Sequence, residues 1–255
     1  KTTIIKAIIK AIKSTSNNSE SICLLAPTGK AADRIRYKTE EHAITIHTFL
    51  TQNKWLNYNN WTLKHAGGLK CDKYTTYIID ESSMIDLNLM AGLFKAIDWD
   101  VIKRLIFVGD PNQSIYESLG GFPISKVDLE KLLGFNLLEL SLTKNYRSSE
   151  KIISYFEHYK TFPNSIEAYG KNKCYDSLIT YNNIVSLDNL IEEIVNLILF
   201  NVNKQGISPN EICIVAPQWV HIASITRKLM ISLPDYSFDG PGMAPFSRDI
   251  ENFWF

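Results

Sequence analysis

The chain has 255 residues, 45% of them hydrophobic and 21% charged, the balance of a globular protein with one large domain or two ordinary ones. Lys+Arg and Asp+Glu number 27 each, so the formal net charge is zero; this excludes a global electrostatic pull on nucleic acid and leaves only a local patch. Cys23, Cys71, Cys174 and Cys213 show no CxxC or CxxH spacing, which argues against a zinc site or a disulfide framework, and no apolar run approaches the roughly 18 residues of a membrane span.

Apolar strands and amphipathic helices alternate almost throughout, the pattern of an α/β architecture with a mainly parallel sheet. Residues 2–13 place Ile4, Ile5, Ile8, Ile9 and Ile12 on one helical stripe. Residues 22–27 read as a buried strand, and the turn Thr28-Gly29 leads into a helix near 30–38. The polar, Trp- and Asn-rich stretch 51–73 reads as a surface insertion. Strands are predicted at 74–80, 104–110 and 136–142, with a helix near 86–97. After Asn145-Tyr146-Arg147 a helix runs to about residue 159, and 160–176 is loop-like. A second series follows: strand 177–182, helix 187–203, strand 211–217 and a helix to about residue 232. The opening Lys1-Thr2-Thr3, without a start Met or a leader, reads as a chain cut inside a motif, and the expected compartment is the cytoplasm.

Two predicted strands end in acids. Tyr77-Ile78-Ile79 delivers Asp80-Glu81, and Leu105-Ile106-Phe107-Val108 delivers Gly109-Asp110, then Pro111-Asn112-Gln113. In an open parallel sheet, ligands bind outside the carboxyl ends of the strands. An acid closing a buried strand can hold Mg²⁺ through its oxygens, and the neighbouring acid can orient or deprotonate an attacking water. The plainer alternative is an acid capping the next helix. Gln113, three residues past Asp110, can meet a γ-phosphate; its alternative is an ordinary Asp-Pro-Asn turn. Lys1-Thr2, directly before an amphipathic helix, fits the last two positions of G-x-x-x-x-G-K-[ST], whose Lys reaches the phosphates and whose hydroxyl touches Mg²⁺.

Five segments, the two strand ends among them, occur in order: Ala26-Pro27-Thr28-Gly29-Lys30-Ala31-Ala32, Thr45-Ile46-His47-Thr48-Phe49, Ile79-Asp80-Glu81-Ser82-Ser83-Met84, Gly109-Asp110-Pro111-Asn112-Gln113-Ser114-Ile115-Tyr116 and Asn145-Tyr146-Arg147-Ser148. Together they resemble motifs Ia, Ib, II, III and IV of superfamily 1 DNA helicases. The early motifs look most like the RecD branch; the last two look more like the UvrD/Rep/PcrA branch. Ser118 and Leu119 depart from the latter, standing where that branch has an aromatic residue and an arginine.

The resemblance implies a RecA-like P-loop domain over residues 1–160, a linker at 161–176 and the start of a second RecA-like domain at 177–255. It implies an ATP hydrolase moving on single-stranded DNA, with ATP and Mg²⁺ as cofactors; a non-unwinding DNA-stimulated ATPase, or a non-catalytic subunit of a helicase–nuclease complex, is the alternative. Lys1 and Thr2 would bind phosphate and Mg²⁺, Asp80 would hold Mg²⁺, Glu81 would activate water, and Gln113 would couple the γ-phosphate to domain movement. Arg147 would compensate transition-state charge and Tyr146 would stack on adenine. Thr28, Lys30, Thr45 and His47 would meet the sugar–phosphate backbone, and Tyr116 would stack on bases. Arg34 and Lys38 extend the basic face begun by Lys30, which is either more of that strand path or merely solvated.

Overall fold

Strand β1 (Ile22–Ala26) lies inside a four-stranded parallel sheet of order β2-β1-β3-β4, where β2 is Ala43–Thr45, β3 is Thr76–Asp80 and β4 is Arg104–Val108. Because successive strand residues face opposite ways, each strand feeds two cores. Cys23 and Leu25 of β1, with Tyr77 and Ile79 of β3, pack with α3 (Ile46–Gln52) and α4 (Leu87–Ala96) through Phe49, Leu50, Met90 and Leu93. Leu24, Ala26 and Ile78 face the other way, onto Ile5 and Ile9 of α1 (Thr2–Thr15) and Ala32 and Ile35 of α2 (Gly29–Thr39). Helices on both faces are what a parallel sheet requires, and they explain why β1 and β3 are apolar without alternation. Fully burying side chains such as Leu25 and Ile79 contributes about 1.5–3 kcal/mol each.

This computed structural model describes residues 1–17, 19–57, 62–113, 125–160, 165–174, 179–180, 182–183, 186–216 and 219–235. The chain divides into two compact units, residues 1–177 and 178–255. In the first, α5 (Lys126–Leu133) and α6 (Glu150–Glu157) follow the sheet, and β5 (Lys144–Asn145) pairs in parallel with β6 (Glu167–Ala168) as a separate ladder. In the second, α7 (Leu187–Asn203) and α8 (Trp219–Ser232) pack through Ile191, Val195 and Ile198 with Ile225 and Leu229. Among the described residues, no helix is long and apolar enough to cross a membrane.

Three expectations change. The stretch 51–73 is no mere surface insertion: Trp55, Leu56 and Cys71 are buried in the core, and Trp55 Nε1 donates to the Leu69 carbonyl at 2.9 Å. Three apolar anchors outweigh the polar composition around them. Residues 136–142 form no strand, and Leu138 and Leu140 are 88% and 83% exposed. Alternating leucines suit a pleat, but a strand exists only where a neighbour supplies the ladder. In the second unit, the described residues 179–180 and 212–216 carry no strand either, although Ile212 and Ile214 pack on the α7–α8 core.

Candidate nucleotide site and nucleic-acid interface

All four strands of the sheet run parallel, so their carboxyl ends share one edge. Ala26 lies opposite Thr45, and Asp80 lies opposite Val108. That register brings the exits toward Thr28, Thr45, Asp80-Glu81 and Gly109-Asp110 to the same side of the sheet. At the end of β3, Asp80 is completely buried. Glu81 then takes a left-handed backbone (φ 49°, ψ 42°) before the tight turn Ser82–Met84. A non-glycine residue held there costs about 1–3 kcal/mol, so the surrounding structure fixes where its side chain is aimed.

The exit of β4 is pressed against this turn. A Cβ on Gly109 would lie 2.5 Å from Ser82 Oγ and 3.1 Å from the Ser83 nitrogen, so only glycine allows the approach. Past it, Asp110 accepts the Asn112 N–H at 3.1 Å and the Gln113 amide at 2.9 Å. Gln113 Oε1 in turn accepts from Lys1 Nζ at 3.4 Å. Lys1 Nζ donates to Glu81 Oε2 at 2.5 Å. Thus Lys1, Glu81 and Gln113, which are up to 112 residues apart, meet at the start of α1. Thr2 follows in the first turn of that helix, half-buried.

Arg34 of α2 completes the cluster. Its Nη2 donates to Glu81 Oε1 at 2.7 Å and stands 3.7 Å from Asp80 Oδ2. Sequence spacing put Arg34 on a basic face with Lys30, but helical side chains lean toward the helix N-terminus, and this one leans onto the end of β3. It flanks the buried stripe Ala31, Ile35 and Thr39 of α2, which is the signal that could have placed it.

The two acids are driven apart electrostatically. Burial raises the Asp80 carboxyl above the ordinary range, against the hydrogen bond its Oδ1 accepts from the Glu81 N–H at 2.9 Å. Burial also pushes Glu81 up, but hydrogen bonds from Lys1 and Arg34 outweigh it and hold that carboxylate below the ordinary value. Asp80 Oδ2 is buried with no hydrogen-bond partner. A buried carboxylate oxygen whose nearby Arg34 is too far for a hydrogen bond fits Mg²⁺, which binds through one or two carboxylates plus waters and substrate phosphates. Among the described residues no group of three or more His, Cys, Asp or Glu side chains forms a metal cage, so nucleotide oxygens would have to supply the other ligands.

On the expected strand path, Thr28 and Thr45 are helix caps. Thr28 Oγ1 accepts from the Ala31 N–H at 3.2 Å, and Thr45 Oγ1 accepts from the Thr48 N–H at 3.0 Å. Capping uses an oxygen lone pair rather than the O–H. Lys30 is exposed in the first turn of α2, and His47 is half-buried in the first turn of α3. Tyr116, Ser118 and Leu119 lie outside the described residues.

Tyr146 and Arg147 form a second cluster, both exposed. Asn145 Oδ1 accepts the N–H groups of Arg147 and Ser148 at 2.8 and 2.9 Å. The Asn172 amide donates to the carbonyls of Tyr146 and Arg147 at 3.0 and 3.2 Å, and Tyr169 meets the Tyr146 ring edge-on at 5.1 Å. Neither Asn172 nor Tyr169 carries a sequence signal of its own; the β5–β6 ladder brings them there.

Residues 1–119 match the family model described as an AAA domain. The RecBCD enzyme subunit RecD of Buchnera aphidicola subsp. Acyrthosiphon pisum is 34% identical over 134 residues, covering 44% of this chain and 20% of that protein. The RecD subunit of Mycolicibacterium smegmatis is 32% identical over 116 residues, 37% of this chain and 19% of that one. Over the matched residues the chain is superfamily 1 helicase-like. An uncharacterized protein of Methanocaldococcus jannaschii is 37% identical over 120 residues, 44% of this chain and 10% of its own length. The chain thus spans about a tenth to a quarter of the curated relatives it matches. A crystal structure of Bacteroides Pif1 bound to ssDNA overlaps with a TM-score of 0.30 at 19% identity, over 53% of this chain and 30% of that one. The superfamily 1 helicase-like stretch has an α/β, RecA-like fold with a parallel sheet, and its carboxyl edge carries Lys1, Asp80, Glu81 and Gln113.

Proposed function

We propose that this chain is the nucleotide-hydrolysing part of a motor that couples ATP hydrolysis to movement along single-stranded DNA. The observation that carries the reading is the meeting of Lys1 with Glu81 and Gln113 beside an Asp80 oxygen that accepts no hydrogen bond. Lys1 Nζ is the group that turns to the β/γ-phosphates in a phosphate-binding loop. Doing so frees Oε2 of Glu81, which then orients the attacking water. Gln113, tethered to Asp110, reports whether the γ-phosphate is present. Asp80 and Thr2 would hold Mg²⁺, which would supply positive charge against the phosphate oxygens. Tyr146 offers its exposed ring to adenine, and Arg147 supplies positive charge to the transition state.

The strand would be held through its sugar–phosphate backbone by Thr28, Lys30, Thr45 and His47, with Tyr116 stacking on bases. Such contacts fix position without reading sequence. In this reading the expected linker 161–176 is part of the first unit, to which Glu167–Ala168 and Asn172 tie it, 177–255 begin a second RecA-like domain, and the location is cytoplasmic. The RecD relatives are subunits of an enzyme named RecBCD, which supports an accessory or nuclease partner for this chain as well.

Glu81→Gln in the full-length protein tests the assignment. Loss of general-base action lowers turnover on the order of 10²-fold or more while nucleotide binding persists. Turnover at the wild-type rate in that variant would overturn the reading. Strand displacement on tailed duplexes of both polarities then reads out unwinding and its direction.

A further inference from the structure

Both oxygens of Glu81 are engaged by cations, Oε2 by Lys1 at 2.5 Å and Oε1 by Arg34 at 2.7 Å. A carboxylate tied in this way keeps free lone pairs, but two cations fix its orientation and make it a weaker base. A nucleotide's phosphates remove the first tie, because they attract the Lys1 amine. They do not remove the second. Arg34 is anchored elsewhere, on α2, the 11-residue helix whose N-cap is Thr28 and whose first turn carries Lys30. Lys30 and Arg34 are four residues apart, about 6 Å along the helix axis. Both ride on one short helix packed through Ala32 and Ile35, so a phosphate backbone that loads its first turn bears on the element that carries the guanidinium. The 3.7 Å separation between Arg34 Nη2 and Asp80 Oδ2 adds a competition, since a cation held by Asp80 would contend with Arg34 for the same oxygen.

We infer that Arg34 is a positioning residue that restrains Glu81 in the DNA-free protein, and that engagement of a single strand at the first turn of α2 withdraws it, so that DNA licenses hydrolysis. This rests on the ATPase reading above and deepens it by naming the residue through which the strand acts. Linkage makes the idea testable without turnover. If strand binding breaks the Arg34–Glu81 pair, then removing the pair must tighten strand binding in return.

The test uses the full-length protein with the variants Arg34→Ala, Arg34→Lys and Glu81→Gln. The probe is a fluorescently labelled oligothymidylate, titrated by anisotropy without nucleotide, alongside steady-state ATP hydrolysis with and without the same oligonucleotide. Arg34→Ala should tighten oligonucleotide binding and raise DNA-free kcat, each on the order of fivefold or more, the lower end of usual coupling between sites. The ATP KM should stay near wild type and the stimulation by DNA should shrink. Arg34→Lys, which keeps the charge and guards against a folding defect, should lie between. Glu81→Gln should tighten oligonucleotide binding although it cannot hydrolyse. Weaker oligonucleotide binding in Arg34→Ala, as a direct backbone contact would give, overturns the inference; so does an unchanged affinity and stimulation ratio, or an equal loss of kcat with and without DNA. Retained hydrolysis in Glu81→Gln removes the ATPase reading instead, and the affinity measurements still judge Arg34 by themselves.

Discussion

A methyl group on Gly109 would meet Ser82 Oγ at 2.5 Å, and the backbone nitrogen of Ser83 lies 3.1 Å from the same point. The tightness matters because the two loops in contact hold Glu81 on one side and Gln113 on the other. Gly109→Ala should therefore cost about 1–3 kcal/mol, the usual penalty for an inserted methyl in a packed site, and lower kcat as the two loops part. Ser82→Ala in the same chain removes the closest atom and should recover part of both losses. Thermal melts and steady-state hydrolysis on the single and double variants check this; an additive double variant would show that Ser82 is not the obstacle. Asn172 works by the opposite device, holding a loop in place rather than making room for one. Its two bonds to the Tyr146 and Arg147 carbonyls are each worth about 0.5–1.5 kcal/mol. Asn172→Ala should weaken nucleotide binding on the order of tenfold in a titration with a fluorescent ATP analogue. An unchanged affinity would take Tyr146 and Asn172 out of the nucleotide site.

The strands are tied at their amino ends as well as at the functional edge. Glu20, just before β1, accepts from Thr76 Oγ1 of β3 at 3.1 Å and pairs with Arg104 of β4. The hydrogen bond from Arg104 is the main reason this carboxyl is held below its ordinary value, with burial opposing. A depressed folded-state value means that the unfolded chain takes up the proton first as pH falls. The stability Glu20 contributes is thus present at neutral pH and is lost as pH drops below the ordinary glutamate range and through the folded value. Glu20→Gln should lower the melting temperature at pH 7, and the gap from wild type should close on acidification; a gap that is the same at every pH would mean the pair contributes shape rather than charge. Elements like β1, β3 and β4 were legible in the sequence because a parallel strand covered on both faces is a continuous apolar run. Residues 136–142 misled because alternation describes how a strand would look, not whether a neighbour exists to pair with it. The acids and Gln113 were legible for a related reason: a strand end in a parallel sheet is a fixed address, so spacing alone places Asp80, Glu81 and Gln113. Arg34 was not, since its role depends on which way one long side chain leans from a helix. Asn172 was not either, because 25 residues and the β5–β6 ladder separate it from Arg147.

At the scale of the whole chain, 27 basic against 27 acidic side chains leave no long-range field to steer a polyanion. Several surface cations are already paired: Lys6 with Glu40, Lys13 with Glu41, and Arg36 with Asp33. The proposed single-strand binding would then rest on a few local contacts, mostly hydroxyls and stacking, with Lys30 as the charged member of the expected path. Each phosphate neutralised on a single strand contributes a slope of about −0.7 to log K against log salt concentration. An oligothymidylate titrated between low and physiological salt should accordingly give a shallow slope, about −0.7 to −2. Lys30→Ala should weaken binding at every sequence alike and flatten the slope by about 0.7, the signature of one lost phosphate contact. A wild-type slope steeper than about −4 would demand about six or more neutralised phosphates. That many cannot come from Lys30 and the capping threonines, and the strand would have to follow another surface than the carboxyl edge at Thr28, Thr45 and His47.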